Sequence, residues 1–250
     1  MTGQSPHIIK LVSLIRDNAY RHDTWQIFRD FVGLSAISLS NAVDHGHREE
    51  RENQYLEMIK RYDRQEINRF PQMLAALTMA LEDEACDVLG RVFSELELGN
   101  KWAGQFFTPD CVCRMMAAMN FDDRAKAIIE DRGFIRVNEP AVGGGAMIIG
   151  LCNEMRAQGV NYQRHLHVTA VDVDIRAVHM AYVQLSLLHV PAVVIHGNTL
   201  SLEEYSHWYT PAHVMGGWTG KLGGVSRSSS PAGSRPVSTD TDEPSQLILL

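Results

Sequence analysis

The stretch from Val137 to Gly150, VNEPAVGGGAMIIG, places three consecutive glycines between two apolar runs. Such a segment forces a sharp backbone turn before regular structure resumes. Phe134 to Val137 (FIRV) before it reads as a strand, and Ala146 to Gln158 after it as a helix ending near Gly159. The same alternation continues, with a strand at His167 to Val173 (HVTAVDV), a helix at Ile175 to Leu188 and a strand at Ala192 to His196 (AVVIH). Strands alternating with helices predict a parallel α/β sheet with right-handed crossovers. In that architecture the first strand-to-helix turn lies at the carboxyl edge of the sheet, where ligands bind.

Three ligand classes can be weighed against the turn. A dinucleotide fingerprint requires Gly-x-Gly-x-x-Gly, but counting from Gly143 and Gly145 the third position is Ile148. An oxidoreductase reading is disfavoured on that spacing. A P-loop requires Gly-Lys-Ser/Thr, and the segment contains no lysine. S-adenosylmethionine carries no phosphate and needs neither device. It needs backbone room for its methionine part, an acid at the end of the next strand for the ribose hydroxyls and a polar group after the third strand for the adenine. Asp172 and Asn198 stand at those two positions.

Four stretches together carry a family resemblance. GQFFTPDCVCRMMAAM from Gly104, NEPAVGGGAMI from Asn138, AVDVDIRAVHMAYVQLSLLHV from Ala170 and HGNTL from His196 succeed one another in order. The chain resembles the adenine-N6 DNA methyltransferases, and within them the modification subunits of type I restriction systems. The resemblance covers roughly residues 104 to 200. It implies an S-adenosylmethionine-dependent methyltransferase (Rossmann-like) α/β fold, with a helical N-terminal domain before it. It implies cofactor contacts from Phe107, Thr108 and Pro109, from Glu139 and Pro140, from Gly143, Gly144 and Gly145, and from Asp172 and Asn198. In Phe106 and Phe107 the sequence offers an aromatic pair to wall an adenosine pocket. The implied activity is DNA adenine-N6 methylation, with DNA reached through a specificity or companion subunit in a hetero- or homo-oligomer.

The family's Asn/Asp-Pro-Pro-aromatic catalytic motif has no counterpart here, since the chain holds no Pro-Pro pair. Trp208-Tyr209-Thr210-Pro211 is the nearest candidate and reads as ordinary loop. Signals for about three strands predict an incomplete sheet. A truncated cofactor-binding half, a natural short variant without catalysis, and a sheet completed by a second chain all fit; a non-catalytic interaction protein built on the same fold is the alternative function.

The remaining sequence sets the organisation. Residues 1–100 show helical periodicity, with a break at His45 to Glu52 and an end or restart at Pro71; 101–218 form the cofactor-binding unit. Residues 219–250, rich in Ser, Gly and Pro, read as a disordered tail. A net charge of −7 and a pI near 5.9 exclude broad nucleic-acid binding by this chain alone. Neither a signal peptide nor a membrane span is legible, which points to the cytoplasm. The four cysteines read as free buried thiols without a zinc pattern, the histidines His165 and His167 as surface or strand-edge imidazoles, and Met115, Met116 and Met119 as core. The Lys60, Arg61, Arg64 and Arg69 group, interspersed with Asp63 and Glu66, reads as a solvated paired face rather than a phosphate contact.

Overall fold

The computed structural model describes residues 5–96, 108–225 and 246–248. Five helices come first: α1 (Pro6–Asn18), α2 (Thr24–Asn41), α3 (Arg48–Ile59), α4 (Arg64–Asp83) and α5 (Val88–Glu95). Their limits reflect local chemistry. The Ser5 hydroxyl caps α1 by accepting from His7 N, with Pro6 in the first turn where its missing N–H costs nothing. Asp63 and Glu66 form a reciprocal capping box at the start of α4. Pro71 neither ends nor restarts that helix but lies inside it.

Of the basic group read from the sequence, Lys60 pairs with Glu57 three residues before it, while Arg61 and Arg69 find partners on α2 and α1. Arg69 donates to Asn18 Oδ1, and Arg61 pairs with the buried Asp30. In α3, mostly polar and exposed, Arg51 is the anchor: its guanidinium is buried, reaches Asp44 and the His207 carbonyl, and lies 4.1 Å from the Trp208 ring centroid.

Next come α6 (Asp110–Asn120), α7 (Asp123–Arg132), β1 (Ile135–Glu139), α8 (Ala146–Ala157), the single turn α9 (Tyr162–His165), β2 (Leu166–Asp172), α10 (Ile175–Leu187) and β3 (Ala192–Asn198). After these stand β4 (Glu203–Tyr209), α11 (Pro211–Met215), α12 (Trp218–Val225) and β5 (Gln246–Ile248). The sheet order is β4-β3-β2-β1-β5, parallel except for β4, which runs antiparallel to β3. The α/β architecture expected from the sequence is therefore present, with two additions. Trp208 and Tyr209 end a strand rather than lying in a loop, and Gln246 to Ile248 pair with β1.

Buried apolar residues from both the N-terminal helices and the sheet join one core, in which α2, α4 and α5 pack on α10. Met115 and Met119 of α6 are exposed, contrary to the expectation of core positions. Three of the four free cysteines are buried, and only Cys111 is exposed. Among the described residues no helix is long and apolar enough to cross a membrane.

Residues 210–218, after β4, close the amino edge of the sheet. Thr210 is fully buried; its hydroxyl donates to the Val190 carbonyl and accepts from Ala192 N and His213 N, turning the chain from β4 into α11. His167 is not a surface imidazole: it is buried, 2.9 Å from His213 Nδ1, and burial pushes its pKa down to about 3. Trp218 closes the cluster against Phe134 and His167. Trp218, the last residue of the expected cofactor-binding unit, thus opens α12 as a core side chain, and α12 runs on to Val225 in the segment read as tail. Trp218→Ala removes one of the largest fully buried side chains and should cost about 3–5 kcal/mol in urea unfolding, whereas an unpacked tail residue would give no measurable change.

Candidate functional site

The carboxyl edge of the sheet gathers most of the residues expected there. After Glu139 the chain leaves β1, and Val142 N docks on the Val171 carbonyl of β2. Gly143 N donates to Asp172 Oδ2 at 3.0 Å, while Asp172 Oδ1 accepts from Asp174 N. Thr199, next to Asn198, donates its hydroxyl to the Pro140 carbonyl at 2.7 Å and ties the end of β3 to the same turn. Glu139, Pro140, Gly143, Asp172 and Asn198 therefore belong to one hydrogen-bonded neighbourhood at the ends of three adjacent parallel strands.

The three glycines meet three different demands. Gly143 has φ of 53°, and a Cβ built there would meet nothing within 4 Å, so the backbone presents an open surface. Gly145 has φ of 93° and is the N-cap of α8, in ordinary contact with Ala181 of α10. Gly144 faces the protein instead: a Cβ there would lie 2.8 Å from both carboxylate oxygens of Asp87.

Two carboxyl groups stand in this site with little exposure. Glu139 is 2% exposed; its Oε1 accepts from Ala141 N at 3.3 Å, and its Oε2 has no hydrogen-bond partner among the described residues. Burial, reinforced by the negative charge of Asp172, pushes the Glu139 pKa up to about 7. Burial also raises the Asp172 pKa, opposed by its backbone hydrogen bonds. Asn198 uses its Oδ1 to accept from Leu200 N and Ser201 N, which leaves the Nδ2 donor uncommitted among the described residues.

Other expected residues are not gathered in this way. Phe106 and Phe107 lie outside the described residues. Thr108 and Pro109 are exposed at the start of α6, and no hydrogen bond among the described residues ties them to the turn. Thr210 and Pro211 lie at the opposite, amino edge beside Ala192. A hollow of about 500 Å³ lies elsewhere, between the α4–α5 connection, α6 and α8; its lining includes Asp87, Cys113 and Ala146 but neither Asp172 nor Asn198.

Sequence reasoning missed Asp87 and Gln184. Gln184 Nε2 lies 2.7 Å from the Gly144 carbonyl and 2.8 Å from Asp87 Oδ1, and Gln184 Oε1 accepts from Leu89 N at 3.0 Å. The available signal was a lone amide in the apolar run AYVQLSLL, together with the capping pattern Asp87-Val88-Leu89-Gly90.

No protein-family profile and no curated protein sequence matches the chain. Among solved structures it is similar to a class I S-adenosylmethionine-dependent methyltransferase from Listeria monocytogenes, with 14% identity over 78% of this chain and 54% of that one and a TM-score of 0.42. A type I restriction-modification methyltransferase subunit from Streptococcus thermophilus is similar at 20% identity, covering 74% of this chain and 36% of that one, with a TM-score of 0.35. The DrdV–DNA complex is similar at 13% identity, covering 87% and 27%, with a TM-score of 0.37. The chain thus spans about half the length of the first of these proteins and less of the others.

The raised Glu139 pKa has a defined consequence for stability. Its contribution is fully present below the usual carboxyl value of 4.5 and is lost as pH rises through about 7. The buried His167 acts in the opposite direction, losing stability as pH falls from 6.5 toward about 3. Glu139 is therefore read as a difference: Glu139→Gln should be more stable than wild type at pH 8, with the gap closing near pH 5 in parallel urea titrations. Equal gaps at both pH values would show that the carboxyl is ionised throughout.

Proposed function

We propose that the chain is the cofactor-holding part of an S-adenosylmethionine-dependent DNA adenine-N6 methyltransferase of the restriction-modification type. One observation carries this reading: the open backbone of Gly143 is flanked by two buried carboxyl groups, Glu139 and Asp172, neither of which makes an ion pair among the described residues. Such a pocket repels phosphate and favours a phosphate-free nucleoside that brings positive charge. S-adenosylmethionine has that character, with a sulfonium and an ammonium group on an adenosine.

The residues fit the parts of that molecule. Gly143 leaves room for the methionine portion. Asp172, held by Gly143 N and Asp174 N, retains lone pairs for the ribose hydroxyls. Asn198 Nδ2 is a donor for the adenine edge, and Glu139 Oε2 is an acceptor for the ammonium group. The family resemblance adds Phe107, Thr108 and Pro109, which precede α6 in the sequence, to the cofactor contacts of this proposal. When bound, the cofactor supplies an electrophilic methyl group; the chain's part is to hold and orient it and to balance its charge.

The same reading sends the acceptor-orienting groups to a companion chain. Thr210 has its hydroxyl occupied at the amino edge of the sheet and cannot orient an adenine amino group at the carboxyl edge. DNA contact through a specificity or companion subunit also suits the net charge of −7. That edge separation equally favours a second reading, in which the chain docks in a restriction-modification complex and transfers no methyl group itself.

Calorimetric titration tests the first claim. S-adenosylmethionine should bind the full chain, Asp172→Ala should weaken binding about tenfold or more, and a nicotinamide dinucleotide should not bind. Absence of donor binding to the folded wild-type chain overturns the cofactor reading. With binding in hand, labelled methyl transfer to adenine in DNA, with and without companion subunits, separates the catalytic reading from the docking one.

The charge argument makes a further claim that titration can check. A cation beside Glu139 favours its ionised form, so binding near pH 6 should release part of a proton and tighten as pH rises through about 7. Repeating the titration in buffers of different ionisation enthalpy measures that proton. Glu139→Gln should bind with no such release.

A further inference from the structure

The carboxylate of Asp87 occupies a space that only glycines permit. A Cβ at Gly90 would lie 2.2 Å from Asp87 Oδ2, and one at Gly144 would lie 2.8 Å from both oxygens, although the two glycines are far apart in sequence. Asp87 caps α5 by accepting from Gly90 N at 2.8 Å. It is 5% exposed, and Gln184, which it also accepts from, is fully buried. Through one amide, α10 holds three things at once: the Gly144 carbonyl, the Asp87 carboxylate and the Leu89 backbone N–H.

We infer that Gln184 is a positioning residue, which locks the glycine turn to the start of α5 so that the N-terminal helices and the ligand site move as one unit. Gly144 then serves the approach of α5 rather than the approach of a ligand. Each Gln184 bond replaces a water contact that neither Gly144 nor Leu89 could recover inside the core, so its loss leaves buried backbone groups unpaired on two separate segments. The turn, Gly143 included, would relax away from Asp172 when Gln184 lets go, and α5 would lose its fixed start. Its ligand arm rests on the cofactor reading above; its structural arm does not.

The test uses the full chain and amide hydrogen exchange read by mass spectrometry. Peptides covering 88–91 and 142–146 report the two ends of the lock, and 168–172 and 192–196 serve as internal references in β2 and β3. Gln184→Met keeps the length and apolar packing but no hydrogen bond, and Gln184→Glu keeps the acceptor for Leu89 N while facing Asp87 with a second carboxyl. Both variants should speed exchange in both reporter segments about tenfold or more, with the references unchanged. Gly144→Ala, placed in the turn, should speed exchange at 88–91.

S-adenosylmethionine affinity should fall about tenfold in Gln184→Met. Exchange that rises evenly in the reference strands, or a turn that exchanges as in wild type once Gln184 is replaced, overturns the inference. Unchanged affinity in Gln184→Met overturns the ligand arm. If the wild-type chain does not bind the donor, the cofactor reading falls by itself, and the exchange measurements still decide whether the lock exists.

Discussion

The amide of Gln184 is the interaction on which the relation between the two parts of the molecule depends. A sheet with a helical layer is stable through apolar burial, which is strong but indifferent to small sliding. Fixing one loop against one helix terminus requires directional bonds in a dry place, where a misplaced polar group is costly. Gln184 supplies them from α10, the helix that α2, α4 and α5 all pack against. Gly90 and Gly144 supply the complementary feature, the absence of side chains that would hold Asp87 away. Packing brings the helices to the sheet, and the buried amide determines where they stop.

Much of the architecture was legible because its signals are local. The alternation of β1, α8, β2, α10 and β3 is written in short apolar runs separated by glycine, aspartate and asparagine, and the observed limits differ from the expected ones by only a residue or two. Pro71 misled because a proline forbids one hydrogen bond, whereas α4 has a capping box at one end and a buried apolar stripe along its length to hold it together. β4 was missed because EEYSHWY buries only Trp208, and its strand character comes from pairing with β3 rather than from its own pattern. Histidine burial was missed for a related reason: nothing near His167 in sequence announces His213 or Trp218.

At the site, position was legible and role was not. Sequence spacing places Asp172 and Asn198 at strand ends, and the bonds from Gly143 and the Thr199 tether bring them to the same turn. Three adjacent glycines look alike in sequence, yet one faces open space, one faces Asp87 and one caps a helix. Asn198 could both donate and accept in principle, but its oxygen is spent on the turn directly after it. The weakened acidity of Glu139 is likewise a property of its surroundings, since burial and the neighbouring Asp172 both raise its pKa.

The two edges of the sheet have been given opposite treatments, and this difference limits what the chain can do chemically. At the amino edge every conspicuous polar group is consumed by structure: the Thr210 hydroxyl makes bonds to both sides, the two histidines bond each other, and Trp218 seals them. At the carboxyl edge polar capacity is left over, in Glu139 Oε2, in Asn198 Nδ2 and in the open face of Gly143. Buried polar groups without partners cost stability, and at the glycine turn Glu139 Oε2 is such a group. A ligand that supplies positive charge and hydrogen-bonding groups there recovers that cost on binding. A ligand that supplies only phosphate increases it, because two carboxyl groups already occupy the space where a phosphate would need donors.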